Sequence, residues 1–224
     1  MIIVFDLDDT LYDETSYVKS GFQAVAWYLE RELGLSAKDS IEFMVKRLSS
    51  GRGHIFDDLL LANSQYKKNL VRKCLSIYRS HVPTITLDPE AASCLARLSR
   101  YPIYIVTDGN KNVQKNKIEA LGLLNRVKFN FITYRYGRKH GKPSPYCFFK
   151  ICQMEKVESR EVVYIGDNPK KDFVGIKPLG FKTIRILKGQ YADLVVPLEY
   201  DAQYYIKSLD ELTDTYLEKV FLED

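Results

Sequence analysis

The chain begins with a short apolar strand pattern that ends in three carboxylates. Ile2 to Phe5 are β-favouring apolar residues, and Asp6, Asp8 and Asp9 follow at once. Such a run is typical of a strand buried on both faces of a parallel sheet. Like charges held this close destabilise a fold unless they share a cation or a proton. The start therefore predicts a strand whose carboxyl end forms a metal site or a perturbed carboxylate pair.

The remaining sequence separates into a helical block and an alternating block. Helical spacing of apolar residues runs from about residue 16 to about residue 80, and strand and helix patterns alternate after residue 83. We therefore predict a doubly wound, Rossmann-like α/β core with a parallel sheet, formed by residues 1–14 and 83–224. A small helical-bundle cap domain, residues 15–82, is inserted after the first strand. Near the end of the chain we expect a short helix at 171–179, strands at 182–186 and 192–196, and a terminal helix at 208–221.

Composition excludes several classes of protein. The net charge is +4 over 224 residues, and the lysines and arginines are spread along the chain. This predicts no nucleic-acid partner, and no apolar run reaches the roughly 20 residues that a membrane helix needs. The four cysteines form no CxxC pair and have no histidines at zinc spacing. They are typical of the reduced thiols of a cytoplasmic protein.

Polar side chains end three of the predicted strands. Asp6 and Asp8 end the first, Thr107 ends the strand near residue 105, and Asp167 ends the strand near residue 164. In a parallel sheet these strand ends share one edge, so we expect the four side chains to converge in one crevice.

Four motifs occur in order along the chain: Asp6-Leu7-Asp8-Asp9-Thr10; Thr107-Asp108-Gly109; Gly141-Lys142-Pro143-Ser144-Pro145; and Gly166-Asp167-Asn168-Pro169-Lys170-Lys171-Asp172. With them, the chain resembles the haloacid dehalogenase superfamily, in its phosphatase branch with a helical cap after the first strand. The resemblance covers residue 2 to at least residue 190.

The resemblance implies a nucleophile, a proton carrier and a metal. Asp6 would take the phosphoryl group as an aspartyl phosphate, and Asp8 would act as general acid and base. A carboxylate and a phosphate dianion repel each other, so a divalent cation, Mg²⁺, is expected between them. Its ligands would be Asp6, Asp167 and the backbone carbonyl of Asp8, with Asp172 holding metal-bound water or Lys142. The metal would keep Asp6 ionised while Asp8 holds a proton.

The same resemblance implies a phosphate-binding set. Thr107 offers a hydroxyl, and Asp108 and Gly109 offer backbone N–H groups at the start of a helix. Lys142 supplies a fixed positive charge to the phosphoryl oxygens and to Asp6.

Five other positions carry more modest expectations. Asp9 is expected to shape the turn or to cap the next segment, and Lys171, like its neighbour Lys170, to lie on a solvated helix face. Arg52 and His54, between two predicted helices of the inserted block, either lie over the active site and read the substrate or form an ordinary surface turn.

The predicted function is a Mg²⁺-dependent phosphatase of a small soluble phosphorylated metabolite. Nucleoside monophosphates, flavin mononucleotide and sugar phosphates all remain open, as does the oligomeric state. A phosphomutase is the alternative within the superfamily. Halide displacement is disfavoured because that branch lacks the second carboxylate, here Asp8. A receiver-like phospho-acceptor domain is shorter and places its lysine last, whereas here Asp167 follows Lys142.

Overall fold

The computed structural model describes residues 1–51 and 53–222. The chain forms two compact units. The first consists of Met1–Glu14 and Thr86–Asp224, and the second of Thr15–Ile85.

The first unit contains a six-stranded sheet in which all strands are parallel. The strand order is β3-β2-β1-β4-β5-β6, so β1 lies between β2 and β4 and the chain order reverses around it. This is the position at which open α/β sheets bind ligands. The strands are β1 Ile2–Phe5, β2 Ile103–Thr107, β3 Phe129–Ile132, β4 Val162–Gly166, β5 Lys182–Ile186 and β6 Tyr204–Ile206.

β1 lies inside the sheet, a position that requires its four residues to be buried. They are at most 4% exposed, as expected for a strand covered on both faces. Ile2 and Val4 share a core cluster with Phe148 and Ile151, so α7 covers that face of the sheet. The helices of this unit are α5 Pro89–Arg97, α6 Lys111–Ala120, α7 Tyr146–Glu155 and α8 Asp214–Leu222.

The second unit is helical. Its helices are α1 Glu14–Leu33, which starts at the last residue of the first segment, α2 Ala37–Leu48, α3 Ile55–Ala62 and α4 Lys68–Ser80. Their apolar faces form a separate core that includes Phe22, Leu29, Met44 and Leu59. Among the described residues, no helix combines the length and the apolarity needed to cross a membrane.

Two predicted elements near the end of the chain are wrong. No helix spans 171–179, where the only regular element is a 3-10 turn at Lys177–Leu179, because Pro178 lacks an N–H and Gly180 adopts a positive φ of 86°. No strand spans 192–196 either. Val195 there is 91% exposed, and the sixth strand of the described chain is β6, which the sequence reading missed. The predicted terminal helix is split into a 3-10 turn at Leu209–Glu211 and α8.

Candidate active site

Three neighbouring strands place polar side chains at one edge of the sheet. Asp6 directly follows β1, Thr107 is the last residue of β2, and Asp167 directly follows β4. The backbone N–H of Asp6 donates to the carbonyl of Ile165 at 2.8 Å. Pairing between β1 and β4 therefore continues up to the first carboxylate, which fixes its position.

Asp6, Asp167 and Asp172 form a buried carboxylate cluster. One oxygen from each lies within 4.8 Å of the other two, and the residues are 4%, 4% and 1% exposed. The backbone N–H of Asn168 holds Asp172 by donating to its Oδ2 at 2.9 Å. Gly166 makes room for it, since a Cβ there would lie 2.5 Å from the same oxygen.

Lys142 supplies a positive charge to this cluster. Its Nζ lies 2.9 Å from Oδ1 of Asp6 and 2.7 Å from Oδ1 of Asp172. It also donates to the hydroxyl of Tyr164 at 2.8 Å, and that hydroxyl donates to Asp172 at 3.3 Å. All three protons of the buried ammonium group thus have an acceptor.

The loop that carries Lys142 packs closely on the segment after β4. A Cβ on Gly175 would lie 1.7 Å from the carbonyl oxygen of Pro143. Only glycine allows this approach, and it places the backbone next to Lys142 against a fixed surface.

Burial and mutual repulsion raise the proton affinity of the cluster. Burial, with a further contribution from Asp172, raises the pKa of Asp6 to about 7 although Lys142 lowers it. Burial and the charges of Asp6 and Asp172 raise the pKa of Asp167 to about 9. Burial also opposes the charge on Lys142, but Asp172 and Asp6 outweigh it and hold the pKa of Lys142 well above its ordinary value.

The cluster fits a divalent cation. Its three carboxylates carry three negative charges when ionised, against one positive charge on Lys142. Raised carboxyl pKa values are the expected consequence of this imbalance. Carboxylate oxygens at this spacing are the ligand type that Mg²⁺ takes in proteins.

Asp8 lies outside the cluster and has its own set of hydrogen-bond donors. Its Oδ1 accepts from the hydroxyl of Tyr12 at 2.5 Å and from Nζ of Lys117 at 2.7 Å. Its Oδ2 accepts from Nε2 of Gln114 at 2.8 Å. The same amide nitrogen donates to Oγ1 of Thr107 at 2.6 Å. Gln114 thus links Asp8 by hydrogen bonds with the Thr107 hydroxyl at the end of β2.

These donors lower the proton affinity of Asp8. Burial works to raise the pKa of Asp8, but Lys117, Tyr12 and Gln114 outweigh it and hold that pKa below its ordinary value. The sequence reading expected Asp8 to hold the proton and Asp6 to be ionised. That expectation depends on the charge of a cation beside Asp6, and it stays a prediction.

The side chain of Asp108 holds the loop of Lys142. Its Oδ1 accepts from Oγ1 of Thr133 at 2.5 Å and from the backbone N–H of Lys142 at 3.1 Å. Gly109 next to it has a φ of 134°, a conformation that favours glycine. The structure therefore gives the Asp108 side chain a structural task, and leaves its backbone N–H as its expected contribution to phosphate binding.

Lys171 differs from its expected position on a solvated helix. The segment is not helical, and the side chain of Lys171 is only 33% exposed, with its Nζ 3.7 Å from Oδ2 of Asp108. Lys171 is therefore a second positive charge near this edge of the sheet. The reason is that Asp172 next to it is drawn into the buried cluster.

The two residues expected to read the substrate belong to the second unit. His54 lies at the N-terminus of α3 with a side chain that is 81% exposed and 3.9 Å from Asp57. Arg52 lies outside the described residues.

Sequence reasoning missed five side chains that contact the predicted site residues: Tyr12, Gln114, Lys117, Thr133 and Tyr164. Gln114 and Lys117 are three residues apart on α6, a spacing that puts both on one helix face, and this was the available signal. Tyr164 lies inside a strand, where it reads as an ordinary core residue.

Comparisons with known proteins show what this chain is similar to. The family model of haloacid dehalogenase-like hydrolases matches residues 1–180. Glyceraldehyde 3-phosphate phosphatase of Methanocaldococcus jannaschii is 30% identical over 220 residues, covering 95% of each chain. Human N-acylneuraminate-9-phosphatase is 23% identical over 94% of this chain and 91% of its own. The crystal structure of a HAD phosphatase from Thermococcus onnurineus has a TM-score of 0.61 at 24% identity, over 96% of this chain and 97% of that one.

Proposed function

The chain belongs to the haloacid dehalogenase-like hydrolase family and is a phosphatase of that family, and we propose that it hydrolyses small soluble phosphomonoesters with Mg²⁺ through an aspartyl phosphate at Asp6. The family match confirms the predicted resemblance. The observation that supports the mechanism best is the carboxylate of Asp6, buried at the end of the central strand and paired with Lys142 at 2.9 Å.

In the first half-reaction an oxygen of Asp6 attacks phosphorus. The Asp6–phosphorus bond forms, the ester bond breaks, and Asp8 gives its proton to the leaving alcohol. In the second half-reaction a water molecule attacks phosphorus and gives a proton to Asp8. The Asp6–phosphorus bond breaks and inorganic phosphate leaves. The proton that Asp8 gains in the second step is the one it gives to the leaving group of the next substrate.

Electrostatics make the first step possible. Asp6, Asp167 and the backbone carbonyl of Asp8 would hold Mg²⁺, whose charge lets a carboxylate approach a phosphate dianion. Lys142 contributes positive charge to the phosphoryl oxygens, and Asp172 fixes Lys142 at 2.7 Å.

The phosphoryl group would be held from one side of the crevice. Thr107 offers its hydroxyl, and Asp108 and Gly109 offer backbone N–H groups before the start of α6.

Substrate choice belongs to the second unit, which we propose to be the cap. Relatives named for glyceraldehyde 3-phosphate and N-acylneuraminate 9-phosphate support a sugar phosphate as the first class to test, ahead of nucleoside monophosphates and flavin mononucleotide. Arg52 and His54 remain the proposed substrate-reading residues. The proposal includes a cytoplasmic location, because all four cysteines are free thiols.

The test is phosphate release from a panel of these three classes, with Mg²⁺ and with EDTA. We expect release only with Mg²⁺, and a loss of about 10⁴-fold or more in Asp6→Asn. Asp193→Asn, which changes an exposed carboxylate, is the matched control and should retain full activity. Circular dichroism would establish that both variants are folded. Equal release with and without metal, or an active, folded Asp6→Asn variant, would overturn the proposal.

A further inference from the structure

The hydrogen bonds around Asp8 divide its two oxygens. We propose that Lys117, Tyr12 and Gln114 are positioning residues of Asp8: Lys117 and Tyr12 anchor Oδ1, and Gln114 orients Oδ2, the oxygen that carries the proton. This inference rests on the proposed function, because it assigns a task to side chains that act through Asp8.

Oδ1 of Asp8 is the anchored atom. It accepts two hydrogen bonds, from Tyr12 at 2.5 Å and from Lys117 at 2.7 Å. The ammonium group makes one of these a charge-assisted bond, which is among the stronger kinds in proteins. Two donors on one oxygen fix both the rotation of the carboxylate and the position of its other oxygen.

Oδ2 of Asp8 is the atom available for proton transfer. Within the described part of the chain, its one hydrogen bond comes from Gln114 at 2.8 Å, and the Asp8 side chain is 21% exposed. Gln114 uses its other amide proton on Thr107 at 2.6 Å. The amide therefore sets the distance between the proton carrier and the hydroxyl proposed to contact the phosphoryl group.

Helix α6 carries both Gln114 and Lys117 next to Asp8. It starts just after the end of β2, and its residues Gln114 and Lys117 are each 2% exposed. A buried lysine is rare in proteins unless it is paired. Here Lys117 lies 2.7 Å from Asp8 and 3.4 Å from Glu14. By contrast, Lys115 on the same helix has a side chain that is 56% exposed and pairs with Glu119.

Loss of the anchor should slow both proton transfers and leave the nucleophile intact. An alkyl leaving group needs a proton as the ester bond breaks, whereas p-nitrophenolate leaves without one. The second step needs Asp8 for every substrate, because the attacking water must lose a proton. Removing Lys117 should therefore let the aspartyl phosphate accumulate when p-nitrophenyl phosphate is the substrate.

The test compares Lys117→Met with the matched control Lys115→Met. For Lys117→Met we expect kcat/KM on the best alkyl phosphate of the panel to fall about 10²-fold, the loss that a small misplacement of a catalytic group produces. On p-nitrophenyl phosphate the fall should be less than about tenfold, with a burst of nitrophenolate that approaches one per active site. Lys115→Met should match the wild type in all three measurements.

Two further variants separate positioning from folding. Lys117→Arg keeps the charge and should recover part of the alkyl phosphate activity. Tyr12→Phe removes one hydroxyl and should give a smaller effect of the same kind, which tests the inference even if Lys117→Met does not fold.

Equal losses on alkyl and aryl substrates, with no burst in either Lys117→Met or Tyr12→Phe, would overturn the inference while the wild type remains an active phosphatase. A wild type without metal-dependent phosphate release would instead overturn the proposed function.

Discussion

At the scale of single residues, the three carboxylates after β1 differ in what surrounds them. Asp6 faces Lys142, whereas Asp8 faces Lys117. Asp9 adopts a φ of 53° and accepts a hydrogen bond from the backbone N–H of Glu14 at 2.9 Å, the turn-forming role that the sequence predicts. Identical side chains within four positions thus acquire different chemistry from partners that are distant in the sequence.

Tyr164 offers a test of how Lys142 is held. Its hydroxyl lies between Lys142 and Asp172, so we expect Tyr164→Phe to lower kcat about tenfold and stability by about 1 kcal/mol. Tyr104→Phe is the matched control, because Tyr104 is also a buried strand tyrosine but donates to Glu155. It should lose stability alone. Steady-state kinetics and urea unfolding measure the two effects, and equal kcat values for both variants would show that Tyr164 has no task in the site.

Residues at strand ends could be predicted from the sequence because periodicity places the end of each strand. The partners of Asp8 could not, because the direction of the Gln114 and Lys117 side chains depends on how α6 packs. Burial of a polar helix face is a tertiary property that a single sequence does not display.

At the scale of elements, long periodic helices were the most predictable. α2 and α3 lie in the region for which apolar spacing predicts helices, since an amphipathic stripe defines a helix directly. The region 192–196 was misread because none of its residues is buried, and Val195 is 91% exposed. The Arg185 side chain donates hydrogen bonds to the backbone carbonyls of Tyr191 and Leu194. These carbonyls therefore accept from a side chain and not from the backbone of a neighbouring strand.

The contact between Gly175 and Pro143 gives a prediction for the Lys142 loop. The Cβ of Gly175→Ala would lie 1.7 Å from the carbonyl oxygen of Pro143 unless the loop moves away, so we expect a loss of about 1–3 kcal/mol in stability and of about 10²-fold in kcat/KM. Gly53→Ala is the control, since a Cβ there meets nothing within 4 Å. Urea unfolding and phosphate release would report both quantities, and wild-type kinetics for Gly175→Ala would contradict the assigned role of this loop.

At the scale of the whole molecule, the buried carboxylates couple stability to pH and to metal. The raised pKa of Asp167, about 9, means that the folded protein keeps a proton which the unfolded chain has lost at neutral pH. The free energy of unfolding therefore falls as pH rises. The lowered pKa of His81 makes the free energy of unfolding rise with pH, but only below the ordinary histidine pKa of 6.5. The lowered pKa of Asp8 has the same effect, but only near pH 4 and below.

Asp6, with a pKa raised to about 7, acts in the same direction as Asp167. In EDTA we therefore expect the free energy of unfolding to fall by roughly 1–2 kcal/mol between pH 7 and pH 8. Saturating Mg²⁺ should remove this slope, because the cation binds the ionised cluster. Urea unfolding followed by circular dichroism is the appropriate measurement, since the single tryptophan, Trp27, lies in the second unit. Asp167→Asn should show a shallower profile in EDTA and a smaller response to Mg²⁺. A wild-type protein with the same slope in both conditions would contradict a metal site at this cluster.

The structure confirms the predicted fold class, a parallel sheet with flanking helices. It could be predicted because strand and helix patterns alternate along the sequence. The substrate could not be predicted, since no motif of the sequence specifies the shape of a substrate pocket.

The central claim is that the phosphoryl group passes through Asp6. It is tested most directly by mixing enzyme with substrate and Mg²⁺, quenching with acid within one turnover, and locating the added phosphoryl group by peptide mass spectrometry. The account predicts a transient phosphoryl group on the peptide that contains Asp6, formed and lost at rates compatible with kcat, and none in Asp6→Asn. Full turnover without any phosphorylated peptide, or with the label on another residue, would contradict it.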